Sequence, residues 1–185
     1  MTAKAPGDAP RVVLVGPMGA GKTTVAGLLA ERWDLPVRDT DRDVETVAGK
    51  PIAEIFVDDG EAHFRALERS AVSEALRSHP GVLALGGGSV LDPATRADLV
   101  GHRVVFLRVG LGDAVRRVGL GAGRPLLLGN VRTQIKNLLD ERLPVYEEVA
   151  SFTVQTDGRT PDQVADEVAR LVEDQVGPAS AGDRS

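Results

Sequence analysis

Short apolar runs alternate with stretches in which apolar residues return every three or four positions, and the alternation persists from Arg11 to Glu173. Val12-Val13-Leu14-Val15 is an uninterrupted apolar run of strand type, and after it Val25, Leu28, Leu29 and Trp33 recur at helical spacing. Leu35–Arg38 predicts a weak second strand, followed by a short helix near Val44–Ala48 and a compact segment from Pro51 to Asp58. A longer helix is predicted over Gly60–Ser78, its stripe formed by Phe64, Leu67, Ala71, Val72 and Ala75. The remaining strands are expected at Val82–Leu85, Arg103–Arg108 and Ser151–Gln155. Helices are expected at Pro93–Val100, Asp113–Val118, Asn130–Leu143 (ended by Pro144) and Pro161–Glu173, where Thr160 is the N-cap and Pro161 occupies the first turn. Strands that alternate with helices imply a parallel sheet covered on both faces. Right-handed crossovers then bring the loops after the strands to one edge of that sheet.

The loop after the first strand reads G-P-M-G-A-G-K-T over Gly16–Thr23. Glycine, four residues, glycine, lysine and a hydroxyl residue between a strand and a helix is the P-loop pattern, and it implies a bound nucleoside triphosphate. Glycines let backbone N–H groups close around a phosphate, and the positive end of the next helix faces the same anion. The nucleotide-binding set read from this loop is Gly19, Ala20, Gly21, Lys22, Thr23 and Thr24. Lys22 reaches the outer phosphates and the Thr23 hydroxyl ligates a magnesium ion.

The bulk numbers narrow what such a site serves. A chain of 185 residues with 42% hydrophobic and 26% charged positions fits one globular domain. A formal net charge of −5 argues against a nucleic-acid surface, so the arginines are local devices. Cysteine is absent, which excludes disulfides and thiolate metal sites. No apolar run approaches a membrane span and the start has no apolar signal core, so cytoplasmic residence without a membrane partner is expected. Residues 1–10 and 177–185 are expected to be disordered tails flanking a single domain over 11–176.

Five further features carry candidate chemistry. Asp39 and Asp41 close the second strand; such carboxylates suit water-mediated magnesium binding and a substrate hydroxyl, although Asp-Thr-Asp is also a good helix N-cap. Arg65 has Glu61 and Glu68 at i−4 and i+3, which on its own is a solvated face with surface ion pairs. Gly86-Gly87-Gly88 after the third strand implies that something approaches the backbone closely, with Ser89 free to cap the next helix. Gly119, Gly121, Gly123 and Gly129 flank Arg124 in a surface loop or in a lid, about 119–129, that carries a cation to the triphosphate. Arg142 falls on the stripe of Ile135, Leu138 and Leu139, and an inward arginine suits a carboxylate ligand, although Pro144 weakens the stripe by ending the helix there. His63, His79 and His102 lack metal-ligand spacing and are read as surface or loop residues.

Taken together, the P-loop, D-T-D at Asp39–Asp41, D-G-E-x-x-F-R at Asp59–Arg65, the triple glycine, R-P-L-L at Arg124–Leu127 and E-R-x-P-x-Y at Glu141–Tyr146 resemble the shikimate kinases. The resemblance implies a P-loop fold of the nucleoside monophosphate kinase type, with a five-stranded parallel sheet in order 2-3-1-4-5. It implies transfer of the ATP γ-phosphate, with magnesium, to the 3-hydroxyl of shikimate on the route to chorismate and the aromatic amino acids. On that basis Lys22, Asp41 and Arg124 are the catalytic candidates and Thr23 and Asp39 serve the metal. Asp41, Arg65, Gly86, Gly87, Gly88 and Arg142 hold shikimate within a segment of about 40–68 and its surroundings. Arg117, Arg159 and Pro161 pack on adenine, and a monomer is expected. Two positions depart from common members: the run Gly119–Gly123 is richer in glycine, and Gln155 stands where an acidic residue is usual. A gluconate-type kinase shares the P-loop and the acidic second strand, and a nucleotide-dependent regulatory module without turnover is the reading from another class.

Overall fold

The computed structural model describes residues 9–121 and 129–174. Five strands, β1 (Val12–Val15), β2 (Val37–Asp39), β3 (Val82–Ala84), β4 (Val104–Arg108) and β5 (Phe152–Gln155), form one parallel sheet in the order β2-β3-β1-β4-β5. This is the order expected from the sequence. The central β1 is buried on both faces, which is why every one of its four residues is apolar.

Eight helices accompany the sheet among the described residues: α1 (Lys22–Trp33), α2 (Thr40–Ala48), α3 (Ile52–Asp58), α4 (Glu61–Ser78), α5 (Pro93–Leu99), α6 (Leu111–Gly121), α7 (Gly129–Val149) and α8 (Pro161–Asp174). On one face Val12, Leu14, Val105 and Leu107 meet α1 and α8 through Val25, Leu29, Val168 and Val172. On the other, Val13, Val15, Leu83 and Phe106 meet Val72 and Leu76 of α4 and Leu99 of α5. A smaller cluster of Val44, Ile55, Phe64 and Ala71 joins α2, α3 and α4 beside the sheet's β2 edge. The apolar stripe expected for α4 thus serves two cores at once.

Several boundaries differ from the sequence reading, each for a local reason. Leu35 does not start β2, because its N–H bonds back to the Ala30 carbonyl while Asp34 takes a left-handed conformation at φ 49° to end α1. Helix α2 begins at Thr40 rather than near Val44, since the Asp39 carboxylate caps it by accepting the Asp41 N–H at 3.1 Å. The compact segment is the helix α3. Glycines 119 and 121 lie inside α6 instead of opening a loop, and the rest of the expected lid, residues 122–128 with Arg124, lies outside the described residues.

The largest difference is at Pro144. It was expected to end a helix at Leu143, yet α7 runs through it to Val149. A proline inside a helix removes one hydrogen bond and costs about 3 kcal/mol. The compensation is packing: α7 gives Ile135 and Leu139 to one core layer, then Leu143, Val145, Tyr146 and Val149 to the other. The helix must continue for its second half to reach that layer. The cap of α8 is as expected, with Gln163 N–H on the Thr160 hydroxyl and the Gln163 side chain returning to the Thr160 N–H. Of the histidines, His79 follows α4 in a loop as read, but it is buried rather than on the surface, its Nε2 3.1 Å from the Val82 carbonyl oxygen.

The β2 edge is held by very close backbone contact. A Cβ placed on Gly81 would stand 1.8 Å from the Pro36 carbonyl oxygen, which itself accepts the Val82 N–H. Gly81→Ala should therefore cost about 1–3 kcal/mol of stability by forcing β2 away from β3. Urea unfolding would measure it, and an unchanged midpoint would show that this edge yields freely.

Candidate active site

The loops following β1, β2 and β3 converge at one edge of the sheet, and the charged side chains meet there. In the P-loop, Lys22 Nζ donates to the Gly16 and Pro17 carbonyls at 2.7 and 3.0 Å. Burial pushes its ammonium down to about 8, against the pull of Asp41 and Asp39 and with some help from Arg142. Beside it the Thr23 hydroxyl donates to Asp39 Oδ2 at 2.9 Å. Asp39 thus caps the helix with one oxygen, as one of its two readings had it, and holds Thr23 with the other. A hydroxyl and a carboxylate oxygen in contact form a hard-oxygen pair that fits magnesium, an ion that keeps several waters and needs few protein ligands. Among the described residues no group of three or more histidine, cysteine or acidic side chains could hold a metal without such help.

Asp41 follows on the first turn of α2 and faces the triple glycine. Burial, then the neighbouring Asp39 carboxylate, push its acid up to about 6, while Lys22 pulls the other way. The glycines have the reason expected of them, which is close approach. A Cβ on Gly86 would lie 2.3 Å from Asp41 Oδ1 and 3.0 Å from Glu68 Oε1. A Cβ on Gly88 would lie 2.5 Å from Arg65 Nη1, and one on Gly87 would lie 3.8 Å from Arg142 Nη1. Asp41, Arg65, Gly86–Gly88 and Arg142 thus come together at one place.

Arg65 is more than a surface ion pair. It does contact the exposed Glu61 at 3.3 Å, but its main partner is Glu68 at 2.7 Å, a carboxylate only 4% exposed. Glu68 also accepts the Ser89 hydroxyl at 3.0 Å. Ser89 consequently does not cap the following helix; Asp92 does, by accepting the Thr95 N–H at 2.8 Å. The Arg142 Nε is buried and has no hydrogen-bond partner, a donor left open beside Gly87.

The residues read as the base-binding side lie on α1, α6 and the loop after β5. A cavity there is lined by Gly21, Thr24, Arg117, Thr156, Arg159 and Pro161, alongside Ala20 and others. Arg117 donates to the Gly19 carbonyl, to both oxygens of Thr156 and to Asp113, which leaves its plane fixed. Arg159 is held by the Gln155 and Gln163 carbonyls and by Glu167. The unusual Gln155 donates to Asp157 at 2.7 Å, and Asp157 accepts the Gly110 N–H at 2.8 Å.

Three contributors were not singled out from the sequence. Thr40, fully buried, accepts the Gly86 N–H at 3.0 Å. Glu68 falls on the same stripe as Phe64, Ala71, Val72 and Ala75, so the test applied to Arg142 would have found it. Tyr146 continues the Ile135–Leu139–Arg142 spacing by four residues and was hidden behind Pro144.

Comparison with known proteins agrees with this geometry. The sequence model of the shikimate kinase family matches residues 18–173. A shikimate kinase of Salinispora arenicola is 66% identical over 164 residues, which is 89% of this chain and 98% of that protein. One of Thermobifida fusca is 56% identical over 87% of this chain and 94% of its own length. Among solved structures, the shikimate kinase of Acinetobacter baumannii in complex with shikimate superposes with a TM-score of 0.83 at 34% identity, covering 90% of this chain and 94% of that one.

The raised pKa of Asp41 has a thermodynamic consequence. The folded protein holds this proton more tightly than the unfolded chain does, so ionising Asp41 costs stability. The cost sets in as pH rises past the ordinary 3.8 and is complete above about 6. Asp41→Asn should therefore stabilise the fold at neutral pH by on the order of 1–2 kcal/mol, and the gain should vanish below the ordinary carboxylate range. Thermal unfolding of parent and variant across that interval would measure it; a variant less stable at neutral pH would contradict the reading.

Proposed function

The chain belongs to the shikimate kinase family, and from that premise we propose that it transfers the γ-phosphate of ATP to the 3-hydroxyl of shikimate, giving ADP and shikimate 3-phosphate. The observation that carries the proposal is one set of charges around one glycine turn. Lys22 and Asp41 lie on the phosphate side, and Arg65 and Arg142 border Gly88 and Gly87. A ring bearing a carboxylate and several hydroxyls needs cations at one end and a proton acceptor at the other.

Asp41 accepts the hydrogen of the attacking hydroxyl and aims its oxygen at the phosphorus. Its affinity for protons, higher than that of an ordinary aspartate, suits it to receive that hydrogen as the hydroxyl reacts. Arg65 and Arg142 share the carboxylate, the latter using the buried Nε that has no other partner. Lys22 leaves the Gly16 and Pro17 carbonyls for the outer phosphates, whose negative charge restores the charged form that burial disfavours. Thr23 and Asp39 would hold magnesium, which would supply positive charge to neutralise the phosphates. The backbone of Gly19–Gly21 with Thr24 cradles the phosphates, while Arg117, Arg159 and Pro161 border the base. Arg124 supplies a further cation to the transferring group from outside the described residues. We place the enzyme in the cytoplasm, acting as a monomer.

A coupled assay with ATP, magnesium and shikimate, run in parallel with gluconate, tests the proposal directly. Shikimate-dependent ADP release supports it; preference for gluconate, or nucleotide binding without turnover, overturns it.

The carboxylate contact gives a sharper prediction. Removing one of two arginines from a desolvated anion should cost roughly 2–5 kcal/mol of acceptor binding. The parent should discriminate strongly against a shikimate analogue whose carboxylate is reduced to an alcohol, and Arg142→Ala should discriminate much less. Equal preference factors in the two proteins would mean that Arg142 does not read the carboxylate.

A further inference from the structure

One buried polar group beside the site has no part in the chemistry above. The Tyr146 hydroxyl donates to the Gly87 carbonyl at 2.5 Å. Its ring is 1% exposed and stacks on Phe106 with centroids 4.9 Å apart and planes 20° from parallel. Burial pushes the phenol up to about 12 even though Arg142 favours its ionised form, so the hydroxyl keeps its proton. Stacking fixes the ring, and the hydrogen bond then fixes the carbonyl.

The Gly87–Gly88 peptide is trans and planar, so its carbonyl and its N–H point in opposite directions. With the carbonyl turned to Tyr146, the Gly88 N–H faces away from the helix. Among the described residues no group accepts that N–H. Arg65 lies over Gly88 and Arg142 beside Gly87, so the exposed edge of this peptide belongs to the cleft between the two arginines. Glycines do not hold such an orientation alone, because their backbone is free to rotate. A buried tyrosine hydroxyl needs some acceptor in any fold; here the acceptor is the turn that borders the anion site, and the donor is one helical turn from Arg142.

We propose that Tyr146 is a positioning residue of the acceptor site: it locks the Gly87–Gly88 peptide so that the Gly88 N–H is presented to the acceptor as a neutral donor between Arg65 and Arg142. The proposal rests on the reading of this cleft as the shikimate site. It extends that reading from the groups that touch the acceptor to one that acts through the backbone. It also gives Pro144 a place, since the helix must run on past it to bring Tyr146 under the turn.

Tyr146→Phe removes the hydroxyl and keeps the stacked ring. The KM for shikimate should rise about three- to tenfold, the loss of one well-placed hydrogen bond, while the KM for ATP stays within about twofold by the same measure. Equal KM values with a lowered thermal midpoint would make the bond a structural anchor only and overturn the proposal. So would a parallel rise in both KM values, which is general loosening. A parent that phosphorylates no shikimate overturns the reading of the site and the proposal with it, whereas an active parent with an unaffected variant overturns the positioning role alone. A second measurement needs no variant. The chain has a single tyrosine, so tyrosine labelled with carbon-13 at Cζ gives one resonance. That resonance should shift on addition of shikimate and stay in place on addition of ADP. An unmoved resonance at saturating shikimate would also overturn the proposal.

Discussion

A carboxylate with 4% of its surface exposed has to be paired, and the arrangement of this site follows from how Glu68 is paired. One oxygen takes Arg65 and the other takes Ser89. The first bond lies within α4, and the second ties α4 to the turn after β3, so helix and sheet edge cannot move apart without breaking it. Arg65 is thereby turned over Gly88, and Gly86 is squeezed between Glu68 and Asp41. Any side chain at Gly86 or Gly88 would have to displace a charged group. The cost of burying Glu68 is offset only while Arg65 stays in place, so removing either partner strands the other.

The same crowding sets the protonation of Asp41 and Lys22. Burial, then the Asp39 carboxylate, raises the proton affinity of Asp41; burial lowers that of Lys22, with a smaller contribution from Arg142. The two shifts run toward each other, which places an acid of about 6 beside an amine of about 8. Two cations here are already held by the protein, Lys22 by the Gly16 and Pro17 carbonyls and Arg65 by Glu68. Orienting such groups before the reaction is the main contribution a protein makes to phosphoryl transfer. The destabilisation carried by an ionised Asp41 is part of that arrangement, an instance of a functional group held where the fold alone would not favour it.

Much of this was legible in the chain. The strand runs and the P-loop led to a parallel sheet with helices on both faces, and the family resemblance carried by the ordered motifs implied the strand order and the grouping of Asp41, Arg65, Gly86–Gly88 and Arg142. What was not legible depends on tertiary packing. Pattern reading ends a helix at Pro144, because the local cost of proline is visible in sequence while the gain from seating Leu143, Tyr146 and Val149 against β4 and its neighbours is not. Ser89 was assigned a cap because a hydroxyl near a helix start is a local signal, whereas its partner Glu68 is 21 residues away in sequence. Glu68 itself was read through its i−3 relation to Arg65 and not through the stripe it shares with Phe64 and Val72. The rule that a charge on an apolar stripe needs a partner was applied to one helix and holds equally on the other.

Helix α7 shows why these two kinds of information must be combined. Its residues at 135, 139, 142 and 146 form one continuous line, and that line passes from the core layer beneath α1 and α8 to the layer beneath α4. Arg142 sits where the line crosses the open edge of the sheet, between two stretches of buried apolar contact. Packed helix on both sides fixes its position, and its buried Nε has no protein partner. Had α7 stopped at Pro144, Arg142 would lie in a fraying last turn, and its guanidinium would lose much of the order that two parallel bonds to a carboxylate require. The proline is therefore tolerated because the residues after it are needed to hold the residue before it.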